Sequence, residues 1–314
     1  MPTSINRGHP LSERERDHAR SGKSLIERAV ARFSVDAARP APQPVPPQPA
    51  SSPGPRPQRT TSRLVTIDFD RLRTQGYLVP GEHATIVEEI RLIKRPVLRL
   101  ARSETGPAAD RARLVMVTSA LPQEGKTFLT LNLALSMALE HDTTVLLVDT
   151  DIWQRSIQRV LGFEADRGLF DLIADETLDM SEVLVRTSLD RLTILPPGRD
   201  HPGANELLAS VRMAQLMDEI SRRYPDRIVL FDTPPALVRT ETGVLATHVG
   251  QVLLVVGAGE TNDAAMREAL ELFKDGPRVG LVMNKLHAAY RTERFGHVYG
   301  AYYRPRASHA TSGT

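Results

Sequence analysis

The chain has no cysteine among its 314 residues, which excludes disulfide bonds and metal sites built from thiolates. It also lacks any apolar run near the roughly 20 residues that a bilayer-spanning helix needs. Its first 20 residues are polar, so we expect neither a membrane span nor a secretory signal. Only 5% of the residues are aromatic, yet four of the six tyrosines lie between Tyr290 and Tyr303. These absences fit a chain from a reducing compartment, with most of its phenol hydroxyls near one end.

The charge of the chain is small overall but unevenly distributed. The net charge is +2, with +5 on residues 1–83, −6 on residues 84–286 and +3 on residues 287–314. Basic flanks around an acidic middle favour an anionic partner or a membrane surface, although they are equally typical of solvated disorder.

Composition divides the chain into three segments. Residues 1–63 are expected to be mostly disordered, with a short amphipathic helix at 24–33 and a linker at 40–57 that contains nine prolines. The helix opens with a Ser-x-x-Glu capping box, and it either docks onto a partner or frays without one. Residues 64–286 form the folded domain, and residues 287–314 form a flexible tyrosine-rich tail.

The middle segment alternates strand-like and helix-like patterns. This alternation predicts an α/β fold of the P-loop NTPase type, a mainly parallel sheet with helices on both faces. The predicted strands are 114–117, 144–149, 192–195, 228–232, 251–256 and 279–283, with an edge strand at 64–69. The predicted helices are 85–101, 128–139, 204–223, 239–248 and 262–273. Pro96 is expected to kink the first of these helices or to end its first half.

A P-loop follows the first strand of this segment. Residues 120–127 read ALPQEGKT, which has alanine at the first small position of the motif. Such a loop turns its N–H groups towards nucleotide phosphates, while its lysine supplies charge and its threonine hydroxyl binds Mg²⁺. The following helix points its positive end at the same anions. The predicted nucleotide-binding residues are Ala120, Gln123, Glu124, Gly125, Lys126, Thr127 and Phe128.

Carboxylates follow two further strands. Asp149 and Asp151 end one apolar run, and Asp232 ends another. The carboxyl ends of parallel strands meet at one edge of a sheet, where α/β folds bind ligands. Phosphoryl transfer needs positioning, a metal and an acceptor for a hydroxyl proton. One carboxylate at the metal and one at the nucleophile would suffice.

Together with the tyrosine cluster, these motifs resemble the bacterial tyrosine autokinases of exopolysaccharide and capsule export. The chain looks most like their exosortase-associated subgroup, and the resemblance covers about residues 64–303. It rests on ALPQEGKT (120–127) and SRRYPDRIVLFDTPPAL (221–237) as nucleotide motifs, EEIRLIKRPVLR (88–99) as an oligomerisation helix, SLIERAVARF (24–33) as the N-terminal helix, and VYGAYY (298–303) as an autophosphorylation cluster.

The resemblance implies a cytoplasmic kinase that uses ATP and Mg²⁺. Its ring of subunits would phosphorylate tail tyrosines in trans and regulate polysaccharide export. A membrane chain-length determinant protein would activate it and hold it at the inner membrane. By position, the catalytic residues would be Lys126, Asp149 and Asp151, with Asp149 as the base, and Thr127 and Asp232 would bind the metal. Asn284 would contact the adenine edge or is a turn residue. The phosphate acceptors would be Tyr290, Tyr299, Tyr302 and Tyr303, and the residues that join subunits would be Glu88, Arg91 and Lys94.

Two positions depart from the family pattern. After Asp151 the family commonly has an arginine and then a proline, whereas this chain has an unexpected Trp153, and we expect Arg155 to substitute for the family arginine from a shifted position. Gln123 stands where the loop often has glycine. The first departure concerns acceptor positioning or ring packing and not ATP binding.

Two other functions share this core. A positioning or partitioning ATPase would carry a second lysine near the start of the P-loop, but residues 119–122 contain none. A non-catalytic ATP-binding regulator of polysaccharide export is favoured only by the altered residues after Asp151. Glu88, Arg91 and Lys94 lie on one stripe of their helix, where pairing within the helix is the alternative to an interface.

Overall fold

The structure, a computed structural model, describes residues 63–81, 85–223 and 226–286. The predicted helix at 24–33, the proline-rich linker at 40–57 and all four tail tyrosines lie outside these residues. Within the described ranges, no helix is long and apolar enough to cross a bilayer.

Within these ranges, eight strands form one sheet, and its middle strands are buried along almost their whole length. In chain order they are β1 (Leu64–Val65), β2 (Leu114–Ser119), β3 (Thr144–Asp149), β4 (Val185–Thr187), β5 (Leu192–Leu195), β6 (Arg227–Asp232), β7 (Gln251–Gly257) and β8 (Arg278–Asn284). Their order across the sheet is β1-β4-β5-β3-β6-β2-β7-β8. Every neighbouring pair is parallel except β4 and β5. The prediction of a mainly parallel sheet is therefore confirmed.

Eleven helices connect the strands in the described part of the chain. They are α1 (Phe69–Thr74), α2 (Thr85–Ser103), α3 (Pro107–Ala112), α4 (Lys126–Ala138), α5 (Ser156–Leu161), α6 (Leu169–Ala174), α7 (Met180–Val183), α8 (Ala204–Leu208), α9 (Val211–Arg223), α10 (Glu241–Ala246) and α11 (Asp263–Glu271).

Side-chain alternation along the strands builds a separate hydrophobic core on each face of the sheet. Val115 and Val117 of β2 face a core that contains residues of α2 and α4. Leu114 and Met116 face the opposite core, which contains residues of α6, α9 and α11. Helices thus cover both faces, as predicted. Strands buried on both faces are expected to be apolar, and β2, β3 and β6 are apolar except at their ends.

Two local predictions were wrong, and a third was wrong in part. The strand at 64–69 ends at Val65, because the Asp68 carboxylate accepts the Arg71 N–H at 2.9 Å and starts α1. The helix at 204–223 is two helices, since the Ser210 hydroxyl accepts the Met213 N–H and starts α9. Helix α2 runs through Pro96 without ending there, so the expectation that Pro96 ends its first half is wrong, and the alternative, a kink, stays a prediction. The carbonyl that loses its N–H partner there belongs to Leu92, which is 51% exposed and accessible to water.

Candidate active site

The P-loop and the predicted carboxylates meet at one edge of the sheet. Strands β3, β6 and β2 are adjacent and parallel, so their carboxyl ends lie together. Asp149 and Asp232 are direct Cα partners in the β3–β6 register. Both carboxylates are completely buried, and the P-loop follows directly after β2. The structure therefore unites three motifs that are up to 112 residues apart in the sequence.

The P-loop is fixed by a buried glutamate. The Glu124 carboxylate is 2% exposed and accepts the Leu121 N–H at 2.8 Å within the loop. Its other oxygen accepts the hydroxyl of Thr261, in the connection between β7 and α11. The sequence predicts Glu124 as a nucleotide-binding residue, and in the structure its carboxylate holds the loop in place. Its side chain therefore contributes to the phosphate site by ordering the backbone.

Asn284 supports the same loop from the end of β8. Its Nδ2 donates to the Glu124 carbonyl at 2.9 Å. It also lies against Gly125, where a Cβ atom would come within 2.1 Å of Nδ2. Gly125 has a φ of +95°, which a residue with a side chain rarely adopts. Asn284 is thus more than a turn residue, and its contact with adenine stays a prediction.

Two threonines of α4 hold the Asp232 carboxylate. Thr127 Oγ1 donates to Asp232 Oδ2 at 2.8 Å, and Thr130 Oγ1 lies 3.1 Å from Asp232 Oδ1. Sequence reasoning missed Thr130, although its position three residues after Thr127 on a helix was a usable signal. The Thr127–Asp232 pair brings a hydroxyl and a carboxylate together, and these are ligand types that Mg²⁺ prefers.

Lys126 lies among the carboxylates as their nearest positive charge. Its Nζ is 3.5 Å from Asp151 Oδ2 and 3.5 Å from Thr127 Oγ1. Asp149 Oδ1 accepts the Asp151 N–H at 2.9 Å, so the two aspartates adjoin as predicted. Asp149 Oδ2 is buried and has no hydrogen-bond partner in the described ranges. A buried carboxylate oxygen without a donor is costly, which makes this atom a candidate for chemistry.

Burial dominates the electrostatics of the site. Desolvation raises the pKa of Asp149 well above its ordinary value, and the nearby Asp232 charge raises it further. Desolvation also raises the pKa of Asp232, opposed by the charge of Lys126 and by the hydroxyls of Thr127 and Thr130. Because one lysine faces three aspartates, the site has a deficit of positive charge, which a cation would reduce.

The residues after Asp151 adopt an unusual arrangement. Arg155 has a φ of +44° and its Nη2 lies 2.6 Å from Asp200 Oδ1, so its guanidinium is already paired. Trp153 is 47% exposed, and the Arg239 guanidinium lies 3.8 Å from the centroid of its ring. The prediction that Arg155 substitutes for the displaced family arginine is not tested by these contacts.

The three predicted oligomerisation residues do not form one exposed stripe. Arg91 donates to Glu88 within α2, and Arg91 is exposed. Lys94 is only 5% exposed, and its Nζ lies 2.5 Å from Glu140 Oε1 and 3.2 Å from the Ser136 carbonyl. Lys94 therefore links α2 to the C-terminal end of α4 within the chain. A role of these residues between subunits stays a prediction.

Comparison with known proteins identifies relatives of this chain. A family model described as an AAA domain matches residues 123–265. The putative tyrosine-protein kinase EpsB of Ralstonia nicotianae is 31% identical over 69% of this chain and 28% of EpsB. The tyrosine-protein kinase YwqD of Bacillus subtilis is 31% identical over 54% of this chain and 71% of YwqD.

Solved structures agree. The VpsO kinase domain has 28% identity and a TM-score of 0.55, covering 65% of this chain and 95% of that domain. The kinase domain of the Escherichia coli tyrosine kinase ETK, at 24% identity and a TM-score of 0.55, covers 72% of this chain and supports the fold. The chain belongs to the family of bacterial tyrosine-protein kinases. It spans just over a quarter of the length of EpsB, and the exosortase-associated subgroup stays a prediction.

Proposed function

We propose that this chain is an ATP- and Mg²⁺-dependent protein-tyrosine kinase. Its phosphoacceptors would be Tyr290, Tyr299, Tyr302 and Tyr303 on a neighbouring copy. The observation that carries this proposal is the buried Asp149 carboxylate, with one oxygen unpartnered, beside Lys126 and the Thr127–Asp232 pair. A positioning site of this kind suits phosphoryl transfer, which depends more on placement and charge than on covalent help from the protein.

The residues fit Mg-ATP. Lys126 and the N–H groups of the loop would hold the phosphates, while Thr127 and Asp232 would hold the metal, directly or through water. The described part of the chain contains no group of three His, Asp or Glu side chains arranged around one cation. That agrees with Mg²⁺, which usually takes one or two protein carboxylates plus phosphate and water oxygens. When bound, ATP would supply the transferable phosphoryl group, and Mg²⁺ would offset the negative charge of its phosphates.

Asp149 is the proposed base. Burial raises its pKa, so its carboxylate is more basic than that of an ordinary aspartate and takes up a proton from a tyrosine hydroxyl more readily. Its unpartnered Oδ2 supplies the acceptor atom. Asp151 positions this group, because its N–H binds Asp149 Oδ1 and its carboxylate lies 3.5 Å from Lys126 Nζ.

The wider role follows from family membership. We infer that the kinase regulates exopolysaccharide polymerisation and export. A membrane chain-length determinant protein would activate it and hold it at the cytoplasmic face of the inner membrane. Glu88, Arg91 and Lys94 would contribute to a ring of subunits, and Asn284 would contact adenine. The position of Asn284 against Gly125, beside the phosphate loop, supports that last assignment.

Lys126→Met tests the activity directly. The variant should stay folded but lose autophosphorylation, because the ammonium group serves phosphate and not core packing. Labelled ATP and an anti-phosphotyrosine blot measure the result. Lys274→Met, at an exposed lysine paired with Glu271, is the matched control and should retain full activity. Normal phosphotyrosine in Lys126→Met would overturn the kinase assignment, and ATP binding without phosphotyrosine in the unaltered chain would instead indicate a non-catalytic regulator.

A further inference from the structure

Helix α2 borders a basic groove that is separate from the candidate active site. The groove has a volume of about 420 Å³ and opens to solvent. Five cationic side chains and one carboxylate contribute to its lining: Arg91, Lys94, Arg95, Arg99, Arg102 and Glu140. We refer to it as the arginine groove. It is a local exception within residues 84–286, whose net charge is −6.

Several of these charges have no carboxylate to neutralise them. Lys94 is paired with Glu140 and Arg91 with Glu88. Arg102 donates to a neutral group, the Thr143 hydroxyl, at 3.0 Å. Arg95 and Arg99 are exposed and make no ion pair with any residue that the structure describes. The groove therefore presents two unpaired guanidinium groups and a third without a counter-charge.

The positive field of the groove acts on its single carboxylate. The hydrogen bond from Lys94 lowers the pKa of Glu140, and the charges of Lys94, Arg102 and Arg91 lower it further. Glu140 thus stays ionised, and its ion pair is with Lys94. Guanidinium groups match the oxygens of a phosphate in paired hydrogen bonds, so a concave cluster of arginines suits a phosphorylated ligand.

We infer that the arginine groove binds the phosphorylated tail of this chain, residues 287–314, an inference that rests on the proposed autophosphorylation. Unphosphorylated, the tail carries +3 and would be repelled by the groove. Four phosphotyrosines would add roughly −6 to −8 and reverse its sign. Binding would therefore depend on phosphorylation.

The spacing of the two partners also agrees. Arg95 and Arg102 are seven residues apart on α2, a rise of about 10 Å along the helix. Tyr299 and Tyr302 are three residues apart, about 10 Å in an extended chain, and Tyr303 adds a third site next to them. A flat anionic membrane is a poorer match for a concave cleft than a peptide that carries phosphates at this interval.

Occupation of the groove would affect subunit assembly. Arg91 lines the groove and also belongs to the predicted interface of α2. A tail bound there would compete with a neighbouring subunit for the same helix. Phosphorylation would then release subunits by covering α2, in addition to any general repulsion between charged tails.

The test is a binding titration with a chemically made peptide. A fluorescent peptide of residues 294–306 carries phosphate on Tyr299, Tyr302 and Tyr303, and its anisotropy is followed with the full-length chain. The four tail tyrosines of that chain are replaced by phenylalanine, so that no phosphotyrosine of its own competes. We expect the phosphopeptide to bind and the unphosphorylated peptide not to bind.

Two double variants locate the site. Arg95→Ala with Arg99→Ala should weaken phosphopeptide binding at least about tenfold, because two charge-assisted contacts are lost. Arg222→Ala with Arg223→Ala removes the same charge from α9 and should leave binding unchanged. These two arginines border another open cleft, of about 600 Å³, but each lies 3.5 Å from a carboxylate one turn earlier. All four positions are exposed, so thermal melts of both variants should match the parent.

Each other result overturns the inference. No binding, equal binding of both peptides, or equal losses in the two double variants would each exclude the arginine groove as the phosphotyrosine site. A different outcome would assign the groove to a membrane surface. In that case the phosphopeptide would fail to bind, while vesicles containing phosphatidylserine would bind the parent chain and not the Arg95→Ala, Arg99→Ala variant. Because the phosphates are placed by synthesis, this outcome does not depend on whether the chain is an active kinase.

Discussion

Gln123 and Gly125 occupy the same turn of the P-loop with left-handed backbone, for different reasons. Position 125 requires a residue without a Cβ, since a Cβ there would lie 2.1 Å from Asn284 Nδ2. Gln123 has a φ of +65°, which places a residue with a Cβ in a conformation that costs roughly 1 kcal/mol. Gln123 stands where the family often has glycine, and its side chain makes this backbone conformation strained.

These two positions should respond oppositely to substitution. Gln123→Gly should keep stability within about 0.5 kcal/mol, because the relief of strain is offset by the greater freedom of glycine in the unfolded chain. Gly125→Ala should lose nucleotide binding, since it strains the loop and displaces Asn284. Titration with a fluorescent ATP analogue and thermal melts measure both. Retained nucleotide affinity in Gly125→Ala would show that the close approach of Asn284 is not required.

The buried charge of Asp149 should lower the stability of the folded chain at neutral pH, although the proposed reaction needs it. With a folded-state pKa raised by burial, the neutral form favours folding below about pH 4, and this contribution is lost as the pH rises through the raised pKa. Asp149→Asn removes the buried charge, so without Mg²⁺ and ATP it should be more stable at pH 7 by roughly 1 kcal/mol, or about 2–4 °C. Its advantage should vanish towards pH 3. Thermal melts from pH 3 to pH 8 in a chelator measure this.

The kinetic effect of Asp149→Asn should differ from that of Asp232→Asn. Loss of the base should lower phosphotransfer by about 10²–10⁴-fold while Mg-ATP binding is kept. Loss of a metal carboxylate at Asp232 should weaken Mg-ATP binding itself. Equal Mg-ATP affinity in the two variants would show that the assignment of base and metal ligand is wrong.

Most of the site could be predicted from sequence because its residues sit in short motifs at the ends of apolar strands. The positions of Lys126, Asp149 and Asp232 follow from those motifs and from parallel strand order. Thr130 was missed because it lies inside an apolar helix and outside the P-loop motif, although its spacing from Thr127 places the two on the same side of that helix. The role of Glu124 was equally hidden, since its partner Thr261 is 137 residues away.

Helix α2 shows that the spacing of charged residues along a helix does not predict which of them are buried. A spacing of i, i+3, i+6 places Glu88, Arg91 and Lys94 on adjoining sides, but it does not say which of them another helix covers. The structure buries Lys94 against α4 and leaves Arg91 exposed. Short elements were missed for a similar reason, because α5, α6, α7 and β4 have only three to six residues and less than two full periods.

The burial of Lys94 changes how the predicted interface should be tested. Glu88→Ala with Arg91→Ala should leave the melting temperature nearly unchanged, since a partly exposed pair within a helix contributes roughly 0.3–0.5 kcal/mol. If these residues join subunits, the same variant should be monomeric in light scattering. Lys94→Ala should destabilise the monomer by roughly 1–3 kcal/mol by removing the partner of Glu140 and opening the α2–α4 contact. A double variant that keeps the parent's oligomeric state would remove Glu88 and Arg91 from the interface.

The charge distribution of the whole chain predicts an assembly that responds to phosphorylation. The domain segment is acidic and the unphosphorylated tail is basic, so copies should attract one another through the tail. Sedimentation velocity at low salt should show assembled protein when the four tail tyrosines are phenylalanine and smaller species after full autophosphorylation. High salt should reduce the difference, because repulsion is screened over about 10 Å at 0.1 M. Identical distributions would exclude a tail-driven switch.

The attachment of the tail has a mechanical consequence. β8 is an edge strand with one neighbour, and the chain leaves it at Asn284, whose side chain holds the P-loop. A pulling force applied to the tail would load the Lys285–Glu260 ion pair and the contacts of Asn284 before it reached the rest of the β7–β8 ladder. Tension from the C-terminal side would thus loosen the phosphate loop while the rest of the sheet stayed intact.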